Sequence, residues 1–291
     1  MSETTSISTS PPPLPQLTLY TRPTSNNSGR ITLFLSTLPS HPVTLVNVTH
    51  ASQKTSIENN PKGKIPFLKI QTPTSTSTLT ESSIILFYLL ILLSPPLPSS
   101  DPLVTSKIRE ITQTHDIYIS SPSSSFSSPN TYFLNVHCQG CMYIPPPGNG
   151  GRGIPWELRM IKLSDLFEGW LNIARLIEGN GGNEGNGGNE GNEEGYAVGG
   201  KVTEADYTIF PSLCYLEYYL PLVFDIAFDK FCSEEREILL KVFKNLMKIK
   251  VFEEYRNFLR SSLECERIRE FVKLIKEDGE KNGGVILPDR G

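Results

Sequence analysis

The sequence predicts an α/β domain followed by an all-helical domain, and three observations support this division. Segments rich in β-branched residues alternate with helical patterns as far as about residue 94. Beyond Leu97 the strand signals stop, and amphipathic helical patterns continue to about residue 277. The 291 residues are also enough for two domains that each bury a core. We therefore place the first domain at residues 17–94 and the second at 101–277.

The first domain begins with a strand, a helix and a second strand. The strand segments are LTLY (17–20) and VTLVNV (43–48), and GRITLFLSTL (29–38) between them carries apolar residues at helical spacing. A helix that connects two strands in this way makes them parallel neighbours in one sheet. The next segment, ASQKTSIENNP (51–61), predicts a short helix or turn that Pro61 ends.

A hairpin and a buried helix complete this domain. FLKI (67–70) and TLT (78–80) are joined by a short Thr- and Ser-rich turn, which predicts an antiparallel pair. We expect Thr80 to cap a helix whose first turn is Glu81 to Ser83. The apolar run SIILFYLLILL (83–93) is well short of the ~20 residues needed to cross a bilayer, so it predicts a core helix.

Pro66 interrupts the apolar run that leads into the third strand. Proline contributes no backbone donor to a strand ladder, so it belongs at a first strand residue, an edge or a tight turn. A cis Ile65–Pro66 bond is one further possibility. In that geometry the backbone of Ile65 would face solvent and could bind a peptide-like ligand.

The second domain is predicted from five helical segments, of which the last two are SEEREILLKVFKNLMKI (233–249) and VFEEYRNFLRSSLECERIREFVKLI (251–275). DPLVTSKIREITQTHDIYI (101–119) has Asp101 as its cap and Pro102 at its first position. KLSDLFEGWLNIARLIEG (162–179) carries an apolar stripe, and VTEADYTIFPSLCYLEYYL (202–220) starts with capping-box spacing. Two inserts, residues 121–155 and a Gly/Asn/Glu repeat at 179–195, interrupt these helices, and the repeat predicts a disordered loop.

Composition and charge restrict the classes of binding partner and the cellular compartment that the sequence predicts. The net charge of −4, with no dense basic cluster, predicts neither nucleic acid nor a membrane surface as a partner. Residues 1–16 lack the features of a secretory or mitochondrial signal and predict a disordered tail. The five cysteines are too few and scattered for a disulfide framework, which predicts reduced thiols and a cytoplasmic protein. They are Cys138, Cys141, Cys214, Cys232 and Cys265.

Three turns are predicted to meet at the carboxyl ends of the parallel strands, where open α/β sheets bind ligands. The first, residues 21–30, supplies the hydroxyls of Thr24 and Ser25 and the amide of Asn26 beside a helix start, which suits an anion such as a thiolate. The second is the Ile65–Pro66 turn. The third offers helix N–H groups with the side chains of Glu81 and Ser82, a set that matches a zwitterion. Each turn alone is more commonly structural, because Ser, Thr and Asn often only cap helices.

The sequence HCQGC (137–141) has the C-x-x-C spacing of zinc and redox sites. No second pair lies at a suitable spacing for zinc, so no metal is predicted. The motif also lies in an insert rather than between a strand and a helix, which favours an incidental pair.

The combination of LTLYTRPTSNNSGRITLFL, NNPKGKIPFLKI and LTESSIILFYLL, in that order, resembles the thioredoxin-like N-terminal domain of the cytosolic glutathione transferases. GGKVTEADYTIFPSL resembles a helix of their all-helical C-terminal domain. The resemblance covers residues 17–93 well and 157–260 more loosely. It implies a thioredoxin-like glutathione-binding domain followed by a helical bundle.

The resemblance also implies roles for individual residues. Ile65 would pair through its backbone with the cysteinyl unit of glutathione, next to a cis Pro66, and Lys64 would lie near the glycyl end. Glu81 and Ser82 would bind the γ-glutamyl end. One alignment, similar to the zeta class, makes Ser25 the residue that activates the thiol; another, similar to the bacterial nu class, assigns that role to Thr24 and Asn26. We favour Ser25. Tyr20 lies inside a strand in both alignments, which disfavours an enzyme that activates the thiol with a tyrosine.

The implied function is a detoxifying glutathione transferase that is a homodimer and uses glutathione as co-substrate against a small electrophile or a disulfide. Alternatives are a glutathione-dependent disulfide reductase, a double-bond isomerase, and a non-catalytic protein-interaction module. The inserts lie where the family has helices that line its acceptor pocket, so the acceptor substrate does not follow from the sequence.

Overall fold

The computed structural model describes residues 14–48, 60, 64–93, 101–120, 156–179 and 195–285. The N-terminal segment 1–13, the insert 121–155 with Cys138 and Cys141, and residues 180–194 of the Gly/Asn/Glu repeat lie outside this part of the chain. So does most of the segment at 51–61 that was predicted as a short helix or turn.

The first domain is built on a four-stranded mixed sheet with the order β2-β1-β3-β4. Strand β1 (Gln16–Thr21) pairs in parallel with β2 (Val43–Asn47) and antiparallel with β3 (Phe67–Gln71), and β3 pairs antiparallel with β4 (Thr76–Thr80). The parallel pair and the hairpin are therefore confirmed. Strand β1 starts at Gln16, one residue inside the segment predicted as a tail.

Helices α1 (Asn26–Thr37) and α2 (Ser82–Leu93) pack against each other beside the sheet, and both starts differ from the prediction. Helix α1 begins three residues earlier than expected because Ser25 caps it. Thr80 does not cap α2: it ends β4, and Glu81 follows with a left-handed φ of 68°. The carbonyl of Glu81 accepts the first helical bond from the Ile85 amide, so Glu81 holds the cap position.

The second domain has helices and connecting turns but no strand among its described residues. Helix α3 (Pro102–Thr114) continues as a π-helix (His115–Ser120), and a 3₁₀ turn (Glu234–Arg236) precedes α7. The remaining helices are α4 (Trp156–Gly179), α5 (Glu204–Phe224), α6 (Phe228–Phe231), α7 (Glu237–Leu246), α8 (Lys250–Leu263) and α9 (Glu266–Lys281). None of the described helices is long and apolar enough to cross a membrane.

Helix α5 is the central helix of this domain, and a capping box defines its start as predicted. The Asp206 carboxylate accepts hydrogen bonds from the amide and hydroxyl of Thr203 at 2.8 and 2.9 Å, and from the amide of Ala197 at 2.9 Å. Burial raises the pKa of Asp206 to about 6, although these hydrogen bonds oppose the shift. The predicted stripe on α4 is also buried, including Trp170 and Ile173.

The two domains pack through α1, which lies against α5 and α8. Phe34 of α1 makes an edge contact with Tyr207 of α5, with ring centroids 5.6 Å apart. Gly29 faces Tyr255 of α8 so closely that a β carbon at this position would overlap the tyrosine hydroxyl. This packing holds the N-terminus of α1 at the boundary between the domains.

Candidate functional site

A small pocket lies where the sheet domain meets the π-helix. Its volume is about 130 Å³ and its walls come from four elements. These are the turn before β3, the start of α2, helix α1 and the π-helix, which contribute Lys64, Ile65, Pro66, Glu81, Ser82, Ser83, Asn27, Asp116 and Ser120. All five residues that the resemblance assigned to ligand binding therefore line this one pocket.

The turn before β3 brings Lys64, Ile65 and Pro66 to the pocket. The Ile65–Pro66 bond is cis, and β3 starts directly afterwards at Phe67. The side chain of Asn60, fully buried, donates a hydrogen bond of 2.7 Å to the Lys64 carbonyl. Asn60 was not singled out in the sequence, yet it ties the start of this turn in place.

The start of α2 supplies the opposite part of the lining. Ser82 and Ser83 are the first helical residues, and the first N–H groups of an α-helix have no intrahelical acceptors. Such a helix end attracts anions, above all a carboxylate that can accept several of these N–H bonds. Glu81 adds a carboxylate beside the helix start, so the pocket offers groups of both signs.

The three residues predicted to activate a thiol lie near the start of α1 but do not line this pocket. Ser25 is the α1 cap, and its hydroxyl oxygen accepts a hydrogen bond of 3.3 Å from the Ser28 amide. The carbonyl of Thr24 accepts a bond from the Tyr215 hydroxyl. Asn26 is buried and donates to the Ser212 hydroxyl at 3.2 Å. Tyr20, as expected, lies within β1.

A buried arginine connects α1 to the pocket. Arg30 is fully buried, and its guanidinium donates to both carboxylate oxygens of Asp116, at 3.1 and 2.5 Å. It also donates to the Asn27 side-chain oxygen at 3.4 Å. Burial alone would raise the pKa of Asp116, but the charge of Arg30 and the hydrogen bonds with His115 and Arg30 together outweigh it and hold this pKa well below its usual range. Asp116 is therefore ionised at the pocket wall.

His115 extends this polar network towards Asn26. Its Nδ1 lies 3.2 Å from Arg30, and its Nε2 lies 2.8 Å from the Ser212 hydroxyl. Nδ1 also lies 3.2 Å from Oδ1 of Asp116, so it accepts from Arg30 in one tautomer and donates to Asp116 in the other. Burial lowers the pKa of His115, more than the neighbouring Asp116 raises it, so the ring is neutral. The network thus runs from Asn26 through Ser212, His115 and Arg30 to Asp116.

Sequence reasoning missed Asp116 and Ser120 as pocket residues, whereas Asn27 belongs to the first predicted turn. One signal was present: Arg30 lies four residues before Phe34, on the apolar side of α1, and a charge in that position needs a buried acidic partner. The pattern does not say which of the 31 acidic residues is that partner. In the described part of the chain, no group of three or more His, Cys, Asp or Glu side chains is arranged to hold a metal ion.

Comparison with known proteins gives a consistent set of structural neighbours. Glutathione transferase Omega 1C from Trametes versicolor matches with 17% identity over 85% of this chain and 94% of that chain, at a TM-score of 0.58. Maleylacetoacetate isomerase from Anaeromyxobacter dehalogenans, solved with bound GSH in its active site, matches with 16% identity over 83% and 95%, at a TM-score of 0.54. Ure2p in complex with glutathione matches with 15% identity over 84% and 94%, at 0.55.

No family model and no curated protein sequence matches the chain significantly. The structural matches show the fold: a thioredoxin-like domain followed by a helical domain, as in the glutathione transferases. The fold class predicted from the sequence is therefore confirmed.

Proposed function

We propose that the chain is a glutathione transferase of the cytosolic superfamily, with its glutathione site in the pocket described above. The observation that carries this proposal is the convergence of Lys64, Ile65, Pro66, Glu81 and Ser82, which are up to 18 positions apart in the sequence, on one cavity. Two structural neighbours were solved with glutathione bound, which supports the same ligand here.

The pocket offers a partner for each end of glutathione. The N–H groups at the start of α2 and the Ser82 hydroxyl suit the γ-glutamyl carboxylate, and Glu81 suits its ammonium. The backbone of Ile65, next to the cis bond, pairs with the cysteinyl unit as one strand pairs with another. Lys64 would bind the glycyl carboxylate. Because Asn27 of α1 also lines the pocket, the thiol would lie towards the start of that helix.

Catalysis in this proposal is stabilisation of the thiolate. The helix dipole of α1 and a hydroxyl donor, with Ser25 favoured over Thr24 and Asn26, lower the pKa of the glutathione thiol. A thiolate is the reactive nucleophile, and it attacks an electrophilic carbon or a disulfide sulfur of the second substrate. The Ser25 hydroxyl can stabilise the thiolate while it caps α1, because its oxygen accepts from the Ser28 amide and its hydrogen donates to the sulfur.

The proposal includes a homodimer and a cytoplasmic, detoxifying role. Several large apolar side chains on α2, α3 and the π-helix are about half exposed, which suits an interface with a second copy. They are Ile84, Ile91, Leu103, Ile117 and Tyr118. Cys214, Cys232 and Cys265 are free thiols, in keeping with a reducing compartment.

A second candidate is a glutathione-binding protein without transferase activity. It is favoured by one observation: Thr24, Ser25 and Asn26 do not line the pocket, and the side-chain amide of Asn26 already donates to Ser212. In that case the pocket binds the tripeptide without activating its sulfur.

An ultraviolet difference titration separates the two candidates. The thiolate absorbance of bound glutathione is followed against pH for the wild type and for Ser25→Ala. A bound thiol that titrates well below free glutathione in the wild type, and moves back up in the variant, supports a transferase that uses Ser25. A lowered pKa that survives the substitution transfers the role to Thr24 or Asn26. Binding with an unchanged thiol pKa favours the non-catalytic candidate.

A further inference from the structure

We propose that a cavity between α5, α8 and α9 binds a single-chain aliphatic carboxylate, such as a medium-chain fatty acid. The volume of this cavity is about 430 Å³, against about 130 Å³ for the proposed glutathione pocket. Small-molecule sites typically enclose ~300–1,000 Å³. The two cavities share no lining residue, so binding here does not depend on the proposed glutathione site.

The interior of this cavity is mainly aliphatic. Cys214 of α5 and Leu259 of α8 line it and are buried, with 3% and 1% of their surfaces exposed. Ile268 and Val272, which are four positions apart and therefore on one face of α9, line it from the last helix. Tyr218 is the only aromatic side chain among the described lining residues. A flexible alkyl chain packs closely in such a space, whereas a planar ring would gain most from aromatic side chains to stack against.

Five charged side chains also line the cavity, and four of them pair with each other. Arg256 donates two hydrogen bonds to the Glu217 carboxylate, at 2.6 and 2.5 Å, and Arg260 donates to Glu264 at 3.2 Å. Arg269 is the fifth. Its guanidinium donates to the backbone carbonyl of Glu264 at 3.2 Å, and it forms no ion pair with a carboxylate in the described part of the chain. One positive charge therefore remains without a counter-charge beside an apolar interior.

This arrangement matches an amphiphile that carries one negative charge. A guanidinium has five N–H donors, and Arg269 uses one of them on the Glu264 carbonyl. The others can donate to a carboxylate, which accepts two parallel bonds from an arginine. An ammonium in the same place would be repelled by Arg269. The alkyl chain of a fatty acid would lie in the aliphatic interior while its carboxylate pairs with Arg269.

The test is a calorimetric titration of sodium decanoate, below its micelle-forming concentration, into the full chain. Decyltrimethylammonium, which has the same alkyl chain and the opposite charge, is the matched ligand. Both are titrated into the wild type, Arg269→Gln and Val272→Trp. Lys273→Gln is the control variant, because Lys273 is an exposed cation of the same helix, lies 3.9 Å from Glu277 and does not line the cavity.

We expect the wild type and Lys273→Gln to bind decanoate equally and to prefer it over decyltrimethylammonium by at least about tenfold. Arg269→Gln should bind decanoate about tenfold more weakly, because it loses one charge-assisted contact. Val272→Trp places a large ring in the cavity and should abolish binding. Because that ring can also disturb the packing of α9, Arg269→Gln, at an exposed residue, is the deciding variant.

Weaker binding of decanoate by Arg269→Gln, with unchanged binding by Lys273→Gln, supports the site. Equal decanoate affinity in the wild type and Arg269→Gln overturns it, since the fatty acid would then bind elsewhere on the chain. Equal affinity of the wild type for the two amphiphiles also overturns it, because the cavity would not select an anion. A wild type that shows no saturable binding of decanoate overturns it too, and leaves the proposed glutathione site in place.

Discussion

The hydroxyl of Tyr255 in α8 lies directly over Gly29 in α1, and this contact allows the helical domain to approach the first helix of the sheet domain. Only the absence of a β carbon at position 29 makes room for the ring. The contact lies one turn from Ser25 and Asn26, so the packing of the domains also sets the position of the proposed thiol-binding turn.

Gly29→Ala should therefore destabilise the protein. Alanine gains about 1 kcal/mol of helix propensity over glycine, but overpacking a buried contact costs about 1–3 kcal/mol, and a methyl group here would overlap a ring atom as well as the hydroxyl. Because this overlap is severe, the cost should lie at the upper end of that range, which leaves a net loss of about 2 kcal/mol in the free energy of unfolding, measured by urea denaturation.

The control is Gly179→Ala at the end of α4, where an added β carbon meets nothing within 4 Å. That variant should be neutral or slightly stabilised. If Gly29→Ala behaves like Gly179→Ala, the two helices are not packed as described.

Removing Asp116 and removing Arg30 should lower the free energy of unfolding by different amounts. Asp116→Ala leaves a fully buried guanidinium without its counter-charge, whereas Arg30→Met leaves a carboxylate that solvent reaches. We expect a loss of about 3 kcal/mol for Asp116→Ala, a smaller loss for Arg30→Met, and partial recovery in the double variant. Denaturation curves of the three variants measure this, and additive losses would refute the coupling.

Glu204 should make stability depend on pH. Burial raises its pKa from 4.5 to about 7, and the charge of Arg109, 3.0 Å away, opposes this only in part. The folded protein thus binds this proton more tightly than the unfolded chain does. The contribution of Glu204 is most favourable below pH 4.5 and is lost as the pH rises to about 7.

The measurement is urea denaturation of the wild type and Glu204→Gln between about pH 4.5 and pH 8. Relative to the variant, which cannot ionise, the wild type should lose about 3 kcal/mol over this range. Parallel stability curves would mean that Glu204 is ionised throughout, as an ordinary partner of Arg109.

The exposed apolar side chains on α3 and the π-helix allow a test of the proposed homodimer. Ile117 and Tyr118 are 58% and 57% exposed. Ile117→Arg would place a charge in an apolar interface and should shift the protein from dimer to monomer in sedimentation equilibrium. Phe258→Arg, at an exposed apolar residue of α8, is the control. If the wild type itself sediments as a monomer, the proposed homodimer is wrong.

Much of the fold was predictable because local patterns determine it. The strand and helix periods, the Asp101 cap and the Thr203–Asp206 box all lie within a few residues of the elements they define. The pocket residues Lys64, Ile65, Pro66, Glu81 and Ser82 were also found, because proline, helix starts and the family resemblance identify them one at a time.

The helical-domain half of the pocket was not predictable for a physical reason. Arg30 and Asp116 are 86 positions apart, and only tertiary packing brings them together. The apolar pattern of residues 101–119 is that of an ordinary α-helix. Nothing in it predicts the π-helix that brings Asp116 and Ser120 to the pocket. The left-handed backbone of Glu81 likewise follows from the tight junction of β4 and α2, not from residue type.

The central claim is that the pocket at Ile65 and Glu81 binds glutathione, and a calorimetric titration tests it most directly. Glutathione is titrated into the wild type, Glu81→Gln and, as a control, Glu235→Gln, whose carboxylate is exposed and pairs with Arg175 on the helical domain. We predict saturable binding to the wild type and Glu235→Gln, with affinity reduced about tenfold in Glu81→Gln. No binding at millimolar glutathione, or equal affinity in all three proteins, would contradict the account.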